Sequence, residues 1–218
     1  MQTFFTQAAE YLPFLLSGVW LTVAVTLLAL LLATLLGLVW SLCRTSGIRW
    51  LATPVRVFVE FIRGIPILVI LFYIYFVMPE IGIDLTAFQA GVIGLGLTYS
   101  CYIAETFRAG IEAVDRGQIE AAKSIGMKQG MMMRRVVLPQ AFKIVIPPYG
   151  NNLIMLLKDS SQVSVISVAE LTMQGKMLAS STFNNLTVFT LVALLYLCLT
   201  LPLNFIMNRI EKSTGAGR

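Results

Sequence analysis

A short segment of the chain combines an acidic side chain with small side chains in a helix-forming context. Residues 115–126 read DRGQIEAAKSIG. Asp115 followed three positions later by Gln118 is typical of a helix start, and Gly126 is typical of a helix end. Between them, an acid and two alanines at 120–122 would give a surface that another protein can approach closely. The segment therefore predicts a docking helix. The alternative is a solvated amphipathic hairpin without a partner.

This segment belongs to a charged stretch, residues 105–143, which is long for a connection without structure or function. A second short helix is predicted to begin near Lys128, and Pro139 is predicted to end or kink it. The three methionines at 131–133, which lie between Lys128 and Pro139, would supply an adaptable apolar surface for packing or docking.

A second group of polar residues lies inside or beside long apolar runs, where polar side chains are costly and therefore candidates for function. Asn152 and Asp159 are seven residues apart, which places both on roughly one face of a helix. Two facing copies of such helices would line a site near the middle of a membrane. The alternative is that these groups only cap and join helices. The candidates for a substrate pathway are Tyr99, Ser100, Tyr102, Asn151, Asn152, Asp159 and Ser160.

Several kinds of chemistry are excluded by what the sequence lacks. It contains no histidine, so a histidine base, metal ligand or proton relay is absent. Cys43, Cys101 and Cys198 are far apart in apolar surroundings and are interpreted as small hydrophobic side chains. No GxxxxGK[ST] sequence for nucleotide phosphates occurs. We therefore expect no catalytic residue, no metal and no cofactor in this chain.

The elements that must position these residues are membrane helices. Of the 218 residues, 57% are apolar and only 12% are charged, and the mean hydropathy is +0.82. A spanning helix needs about 20 mostly apolar residues. The uncharged runs predict an all-α membrane protein that forms a single domain over residues 1–218. Its five predicted spans are 14–41, 57–78, 85–104, 144–158 and 178–208.

The second predicted span contains features that favour a bend. Gly64 and Pro66 within it are typical of a kinked helix, which would serve either a rocking motion or packing alone. Glu60 and Arg63 near its start are predicted to pair with each other across one turn.

The distribution of basic residues predicts how the chain is oriented. Residues 44–56, 105–143 and 209–218 together hold thirteen Lys and Arg, whereas residues 1–13, 77–84 and 158–176 hold two. Basic loops favour the cytoplasmic side. The amino terminus is therefore predicted outside and the carboxyl terminus, which includes Arg218, in the cytoplasm. This topology also accounts for the net charge of +5.

Four blocks of sequence together resemble the permease subunits of ABC importers. GQIEAAKSIGM at 117–127, followed by LPQA at 138–141, is similar to the EAA signature of these permeases. FIRGIPILVILF at 61–72, YIAETFRAGI at 102–111 and PPYGNNLIMLLKDSS at 147–161 are similar to the polar amino acid uptake subfamily, which includes histidine, glutamine and cystine permeases. The resemblance runs from about Leu12 to Ile210.

The resemblance implies a fold, partners and roles. The fold is that of a type I ABC importer permease, with an EAA coupling helix that sits in a groove of a cytoplasmic ABC ATPase. The chain would be the translocation subunit and not an enzyme, while ATP and Mg²⁺ would be bound by an ATPase dimer. Other implied partners are a second permease copy or a paralogue, a periplasmic or lipid-anchored amino acid binding protein, and membrane lipid. The coupling residues carried over are Gln118, Glu120, Ala121, Ala122, Gly126 and Pro139.

One departure from the subfamily pattern bears on the substrate. The sequence reads GNN at 150–152, where permeases of this type often have GNE. A cationic substrate would favour a buried acid, so Asn152 argues against arginine, lysine or histidine as the main substrate. Gln162 is a second departure, since the KDSS block is usually followed by leucine.

The resulting prediction is a multi-pass permease of the bacterial inner membrane that imports polar L-amino acids by coupling to an ATPase. The alternative is an ion-coupled secondary transporter or channel that works alone. That alternative predicts acids within the spans and inverted repeats. The first and last spans contain no acid. It also leaves the EAA segment unexplained.

Overall fold

The structure, a computed structural model, describes the backbone of residues 2–214 and the side chains of residues 4–213. Arg218, counted above among the tail residues, lies outside this part. Within it the chain forms α-helices joined by short π and 3₁₀ turns, and no strand. The helices are α1 (Gln2–Thr45), α2 (Arg49–Arg63), α3 (Ile67–Phe72), α4 (Ala87–Glu112), α5 (Arg116–Ser124), α6 (Gln129–Met132), α7 (Leu138–Asp159), α8 (Leu171–Thr182) and α9 (Asn185–Thr214). The all-α prediction is confirmed.

Helix α1 packs along α4 more extensively than any other pair of helices. Two glycines permit this approach. A Cβ on Gly37 would lie 2.9 Å from the carbonyl oxygen of Ser100, and a Cβ on Gly96 would lie 2.7 Å from the Leu32 side chain. Small residues at such contacts let two membrane helices approach closely. The pair forms the framework on which α7 packs from the other side of α4.

The second predicted span is bent sharply. Helix α2 ends at Arg63, Gly64 caps it, and α3 begins after Pro66, with an angle of 101° between the two helical parts. The sequence predicted a kink here, and the observed change of direction is larger. The predicted Glu60–Arg63 pair is wrong, because Glu60 accepts a hydrogen bond from Arg56 at 2.8 Å. Arg63 turns instead towards α4.

Helix α7 and the turns before it form one continuous helical stretch. A π turn (Met133–Val137) joins α6 to α7, and Pro139 lies in the first turn of α7. Pro139 was predicted to end or kink the second short helix; it does not end it, because the helical stretch continues past this residue. Proline is tolerated here because the π turn just before it changes the local backbone hydrogen-bond pattern. Helix α7 also continues through Pro147 and Pro148.

Length and hydropathy alone identify three helices that could cross a membrane, α1, α4 and α9. Helix α2 and the helical segment from Ile67 to Ile81 form a bent pair. If this pair is counted as one span, the described residues contain four candidate spans. Helix α7 is not among them, since Lys143, Asn151 and Asn152 interrupt its apolar residues. The five-span count is therefore not confirmed by this criterion.

Candidate functional site

The predicted docking segment forms the helix α5, with defined caps at both ends. The Asp115 carboxylate accepts the backbone N–H of Gln118 at 3.3 Å, which caps the first turn. At the other end, Gly126 adopts a φ of +75°, a left-handed conformation that glycine reaches without strain. The N–H of Met127, just beyond it, bonds the Ala122 carbonyl at 3.1 Å, which closes a glycine cap. The next helix, α6, begins just after Lys128, close to the predicted start, although the Lys128 side chain forms no cap hydrogen bond.

The two alanines of the segment have different environments. Ala122 is 4% exposed and packs with Val114, Met132 and Val137 in a small apolar cluster. It therefore holds α5 against its own chain. Ala121 is exposed, as are Gln118 and Glu120. These three side chains belong to the outer face of α5, which also exposes Arg116, Lys123 and Ser124, and Pro139 is exposed at the start of α7.

One residue of this surface was not predicted from the sequence. Ile125, the last residue before Gly126, is 77% exposed. An isolated exposed isoleucine needs no explanation in general. Here it lies directly between α5 and the left-handed Gly126, so it adds an apolar contact point at the end of the docking face. Its position at the C-cap of α5 is the signal that would have identified it.

The candidate pathway residues of α4 and α7 meet along the contact between these two helices. The Tyr99 hydroxyl donates to Asp159 Oδ2 at 2.7 Å, and the Asn152 side-chain amide donates to the Thr106 hydroxyl at 3.0 Å. Tyr102 lies between the two bonds along α4, and its ring centroid is 5.8 Å from that of Tyr99. We name these five residues the α4–α7 stripe: Tyr99, Tyr102, Thr106, Asn152 and Asp159. Thr106 was not predicted, although it follows Tyr102 by one helical turn.

Three predicted pathway residues lie apart from this stripe. The Ser100 hydroxyl accepts a hydrogen bond from the Trp40 indole at 3.1 Å and so faces α1. The Ser160 hydroxyl, just after α7, is buried and donates to the Leu157 carbonyl in the last turn of α7. Asn151 is exposed, one position away from Asn152.

A cluster of charged side chains lies at one end of the α4–α7 stripe. Glu105 accepts hydrogen bonds from Arg44 of α1 and, at 2.9 Å, from Arg108 of its own helix. The Arg63 guanidinium lies 3.9 Å from the same carboxylate and 5.2 Å from the centre of the Tyr102 ring. These contacts tie α1, α2 and α4 together at the bend. Glu105 and Arg108 therefore have a structural role in these contacts.

Comparison with known proteins identifies the family. Residues 33–215 match the family described as binding-protein-dependent transport system inner membrane component. The chain belongs to this family. This inner membrane component is 41% identical to a probable glutamine ABC transporter permease of Bacillus subtilis, with 91% of the chain and 94% of the relative covered. It is 37% identical to the glutamine transport system permease of Escherichia coli, with 92% and 93% covered. It is 34% identical to an arginine transport system permease of Bacillus subtilis, with 95% of each covered.

Solved structures agree with this membership. A crystal structure of an amino acid ABC transporter with histidines matches the inner membrane component with a TM-score of 0.92 and 39% identity, over 96% of this chain and 98% of the other. An inward-facing methionine ABC transporter matches with a TM-score of 0.76 at 24% identity, over 92% and 96%, which shows a shared fold. The helical architecture is therefore that of ABC importer permeases.

The inner membrane component contains a further buried carboxylate that sequence analysis did not single out. Glu170 is fully buried and caps α8, where it accepts the backbone N–H groups of Thr172 and Met173, each at 2.9 Å. The Tyr196 hydroxyl of α9 donates to it at 2.8 Å, and the Thr22 hydroxyl of α1 lies 3.5 Å away. Glu170 therefore joins α1, α8 and α9. The sequence signal was an acid immediately before a helix start.

Proposed function

We propose that this chain is the transmembrane permease subunit of an ATP-driven ABC importer for polar L-amino acids. The observation that carries the proposal is the capped helix α5, which presents Glu120 and Ala121 outwards from a helical membrane protein of the ABC permease family. Its proposed partners are a cytoplasmic ABC ATPase dimer, a second permease copy or paralogue, and a periplasmic or lipid-anchored binding protein. ATP and Mg²⁺ are bound by the ATPase.

The outer face of α5 has the properties that a groove in another protein requires. The N-cap and the glycine cap fix both ends of the helix, so little conformational entropy is lost on docking. Ala121 permits close approach, Glu120 provides a charge for a basic partner residue, and Ile125 provides an apolar contact. Ala122, which packs on the rest of the chain, transmits a displacement of α5 to α6 and α7.

The α4–α7 stripe supports the proposed substrate pathway. It brings a carboxylate, an amide, a threonine hydroxyl and two tyrosines to one helix contact. Such groups offer hydrogen bonds to the ammonium, carboxylate and polar side chain of an amino acid. Relatives named for glutamine and for arginine support amino acids as the substrate class. The neutral Asn152 favours a neutral polar amino acid over a cationic one.

We place the chain in the bacterial inner membrane as five spans, formed by α1, the bent α2–α3 pair, α4, α7 and α9. The thirteen basic residues within 44–56, 105–143 and 209–218 are assigned to the cytoplasmic side, so the end of α1 and the start of α2 lie at that surface. This orientation puts α5 on the side where ATP is available. The amino terminus then lies outside, as an odd number of spans requires.

Co-purification of an ATPase tests this proposal. The chain is expressed with the ATPase encoded beside it, extracted in mild detergent and isolated through a tag on the permease. We expect the ATPase to be retained by the wild type and by Ala109→Arg, since Ala109 is exposed on α4 outside α5. Ala121→Arg should lose it, because the larger charged side chain blocks close approach. A transport-competent permease without any ATPase would contradict the proposal.

A further inference from the structure

The structure contains an apolar groove that neither the docking helix nor the α4–α7 stripe uses. Its volume is about 670 Å³, and it lies between α1, α4 and α7. Four residues of α1 between Thr34 and Leu42, two of α4 and six of α7 between Leu138 and Tyr149 form its walls. Apart from the hydroxyls of Thr34, Ser41 and Tyr149, these side chains are apolar. A polar amino acid would find few hydrogen-bond partners there, so the groove suits a hydrocarbon chain.

The length of the groove matches one leaflet of a membrane. Leu138 and Tyr149 are eleven residues apart, which corresponds to about 16 Å along a helix. Half of a bilayer's hydrocarbon core is about 15 Å thick. At its deep end, the hydroxyls of Thr34 and Tyr149 share a hydrogen bond of 2.7 Å. This bond satisfies both groups, so the deep end does not demand a polar ligand.

Two arginines precede the groove-lining part of the chain at the opposite end, just before α7. Arg134 lies about one turn before Leu138. The two residues are joined by the π turn, in which the N–H of Leu138 donates to the Met133 carbonyl. This spacing continues the groove-lining face of α7. Arg135 is its neighbour, and both arginines are exposed and form no ion pair within residues 4–213. Two unpaired cations beside an apolar groove are complementary to an anionic headgroup on an acyl chain.

A buried hydroxyl lies between the apolar walls and the charged end. Ser41 lines the groove, three residues before Arg44 on α1. Its hydroxyl is buried and has no hydrogen-bond partner among the described residues. A buried hydroxyl without a partner is costly. A glycerol ester carbonyl, which lies between the phosphate and the hydrocarbon of a phospholipid, would accept its hydrogen.

We propose that this groove is a binding site for an anionic phospholipid of the cytoplasmic leaflet. The acyl chain lies between α1, α4 and α7, the ester region faces Ser41, and the phosphate is bound by Arg134 and Arg135. The assignment to the cytoplasmic leaflet rests on the orientation proposed above. Because the π turn that carries the arginines joins α6 to α7, the lipid would hold the base of the docking region against the membrane.

Lipid retention tests this site directly. The permease–ATPase complex is purified from vesicles that contain phosphatidylglycerol and phosphatidylcholine, and its bound lipid is measured by native mass spectrometry. We expect phosphatidylglycerol to be retained selectively. The R134Q/R135Q variant should bind it about 30-fold more weakly, since each basic residue at an anionic surface contributes roughly a factor of five. The R49Q/R56Q variant removes two arginines at α2, away from the groove, and should bind it as the wild type does.

A second pair of variants tests the hydrocarbon part of the site. Leu38 and its neighbour Val39 are each 48% exposed, but only Leu38 lines the groove. Leu38→Trp should reduce retention of phosphatidylglycerol by filling the groove, whereas Val39→Trp should not. ATP-driven uptake by the wild type is measured in the same vesicles, so that failure of the lipid site is separated from failure of the importer proposal.

Three results would overturn the lipid site. The first is a wild-type complex that retains no lipid, which would leave the groove to a second copy of the chain. The second is equal retention of phosphatidylcholine and phosphatidylglycerol, since the arginines would then select no headgroup. The third is an R134Q/R135Q variant that keeps its lipid and loses the ATPase, which would assign the arginines to the protein interface.

Discussion

Tyr99 of α4 donates its hydroxyl hydrogen to Asp159 at the end of α7 across 2.7 Å. The tyrosine is 1% exposed. The second oxygen of the carboxylate accepts the Gln162 side-chain amide at 3.3 Å. Both oxygens of Asp159 are therefore bound, and its position relative to α4 is fixed. Asp159 is thus a fixed carboxylate of the proposed substrate pathway.

Replacing Tyr99 with phenylalanine should weaken the contact between α4 and α7. A buried bond to a carboxylate is lost and the acceptor is left partly unsatisfied, which costs roughly 1–3 kcal/mol. Thermal unfolding of the purified complex should show a lower Tm, and the KM for uptake should rise. Tyr73→Phe is the matched control, because Tyr73 is largely exposed. A Tyr99→Phe complex with an unchanged Tm and KM would refute the importance of this bond.

The left-handed conformation of Gly126 leads to a prediction about coupling. A Cβ at this position meets no atom within 4 Å, so the constraint is the backbone φ of +75° rather than space. Asparagine tolerates such a φ and β-branched residues do not. Gly126→Val should reduce ATP-driven uptake strongly with normal membrane insertion, whereas Gly126→Asn should retain most of it. Equal uptake by the two variants would show that the glycine cap is not required.

Gly126→Asp should abolish uptake, because it adds charge beside the docking face.

Asn152 is predicted to set part of the substrate preference. Asn152→Glu adds a carboxylate beside Thr106, where a cationic amino acid would be stabilised. The ratio of arginine uptake to glutamine uptake should therefore rise. The comparison variant is Asn151→Glu, which adds the same charge at an exposed neighbour outside the stripe. An unchanged uptake ratio in Asn152→Glu would remove this residue from the substrate pathway.

Glu170 is predicted to stabilise the contacts among α1, α8 and α9. Glu170→Ala leaves two backbone N–H groups and the Tyr196 hydroxyl without their acceptor, at roughly 1–3 kcal/mol for each group that stays buried and unpaired. Glu170→Gln keeps one acceptor oxygen and should lower the Tm less. The control is the exposed Glu80→Ala, for which no change is expected. Equal Tm values for Glu170→Ala and the wild type would contradict this role.

The ends of a helix could be predicted from the sequence where a single residue determines them. Asp115 and Gly126 mark the ends of α5 because capping and left-handed turns depend on one residue each. The sequence could not show which of Ala121 and Ala122 is buried, since that depends on where the apolar cluster around Met132 and Val137 packs. The same limit applies to Ser100, whose partner Trp40 is sixty residues away.

Other differences arise from tertiary geometry that composition does not reveal. The sharp bend after Arg63 brings this side chain to Glu105 and Tyr102, and so a local Glu60–Arg63 pair does not form. The π turn before α7 lets Pro139 begin a helix instead of ending one. Glu170 was missed because an acid between predicted spans usually faces solvent, whereas here it is buried and contacts α1, α8 and α9.

ATP-driven uptake by the reconstituted complex tests the central claim most directly. The chain, the ATPase and the binding protein encoded beside it are assembled in vesicles, and labelled glutamine is competed with neutral, acidic and cationic amino acids. We predict that uptake requires ATP and is lost in the Ala121→Arg variant. We also predict that neutral polar amino acids compete better than cationic ones. Uptake that proceeds without ATP or without the ATPase, driven by an ion gradient, would contradict the importer mechanism.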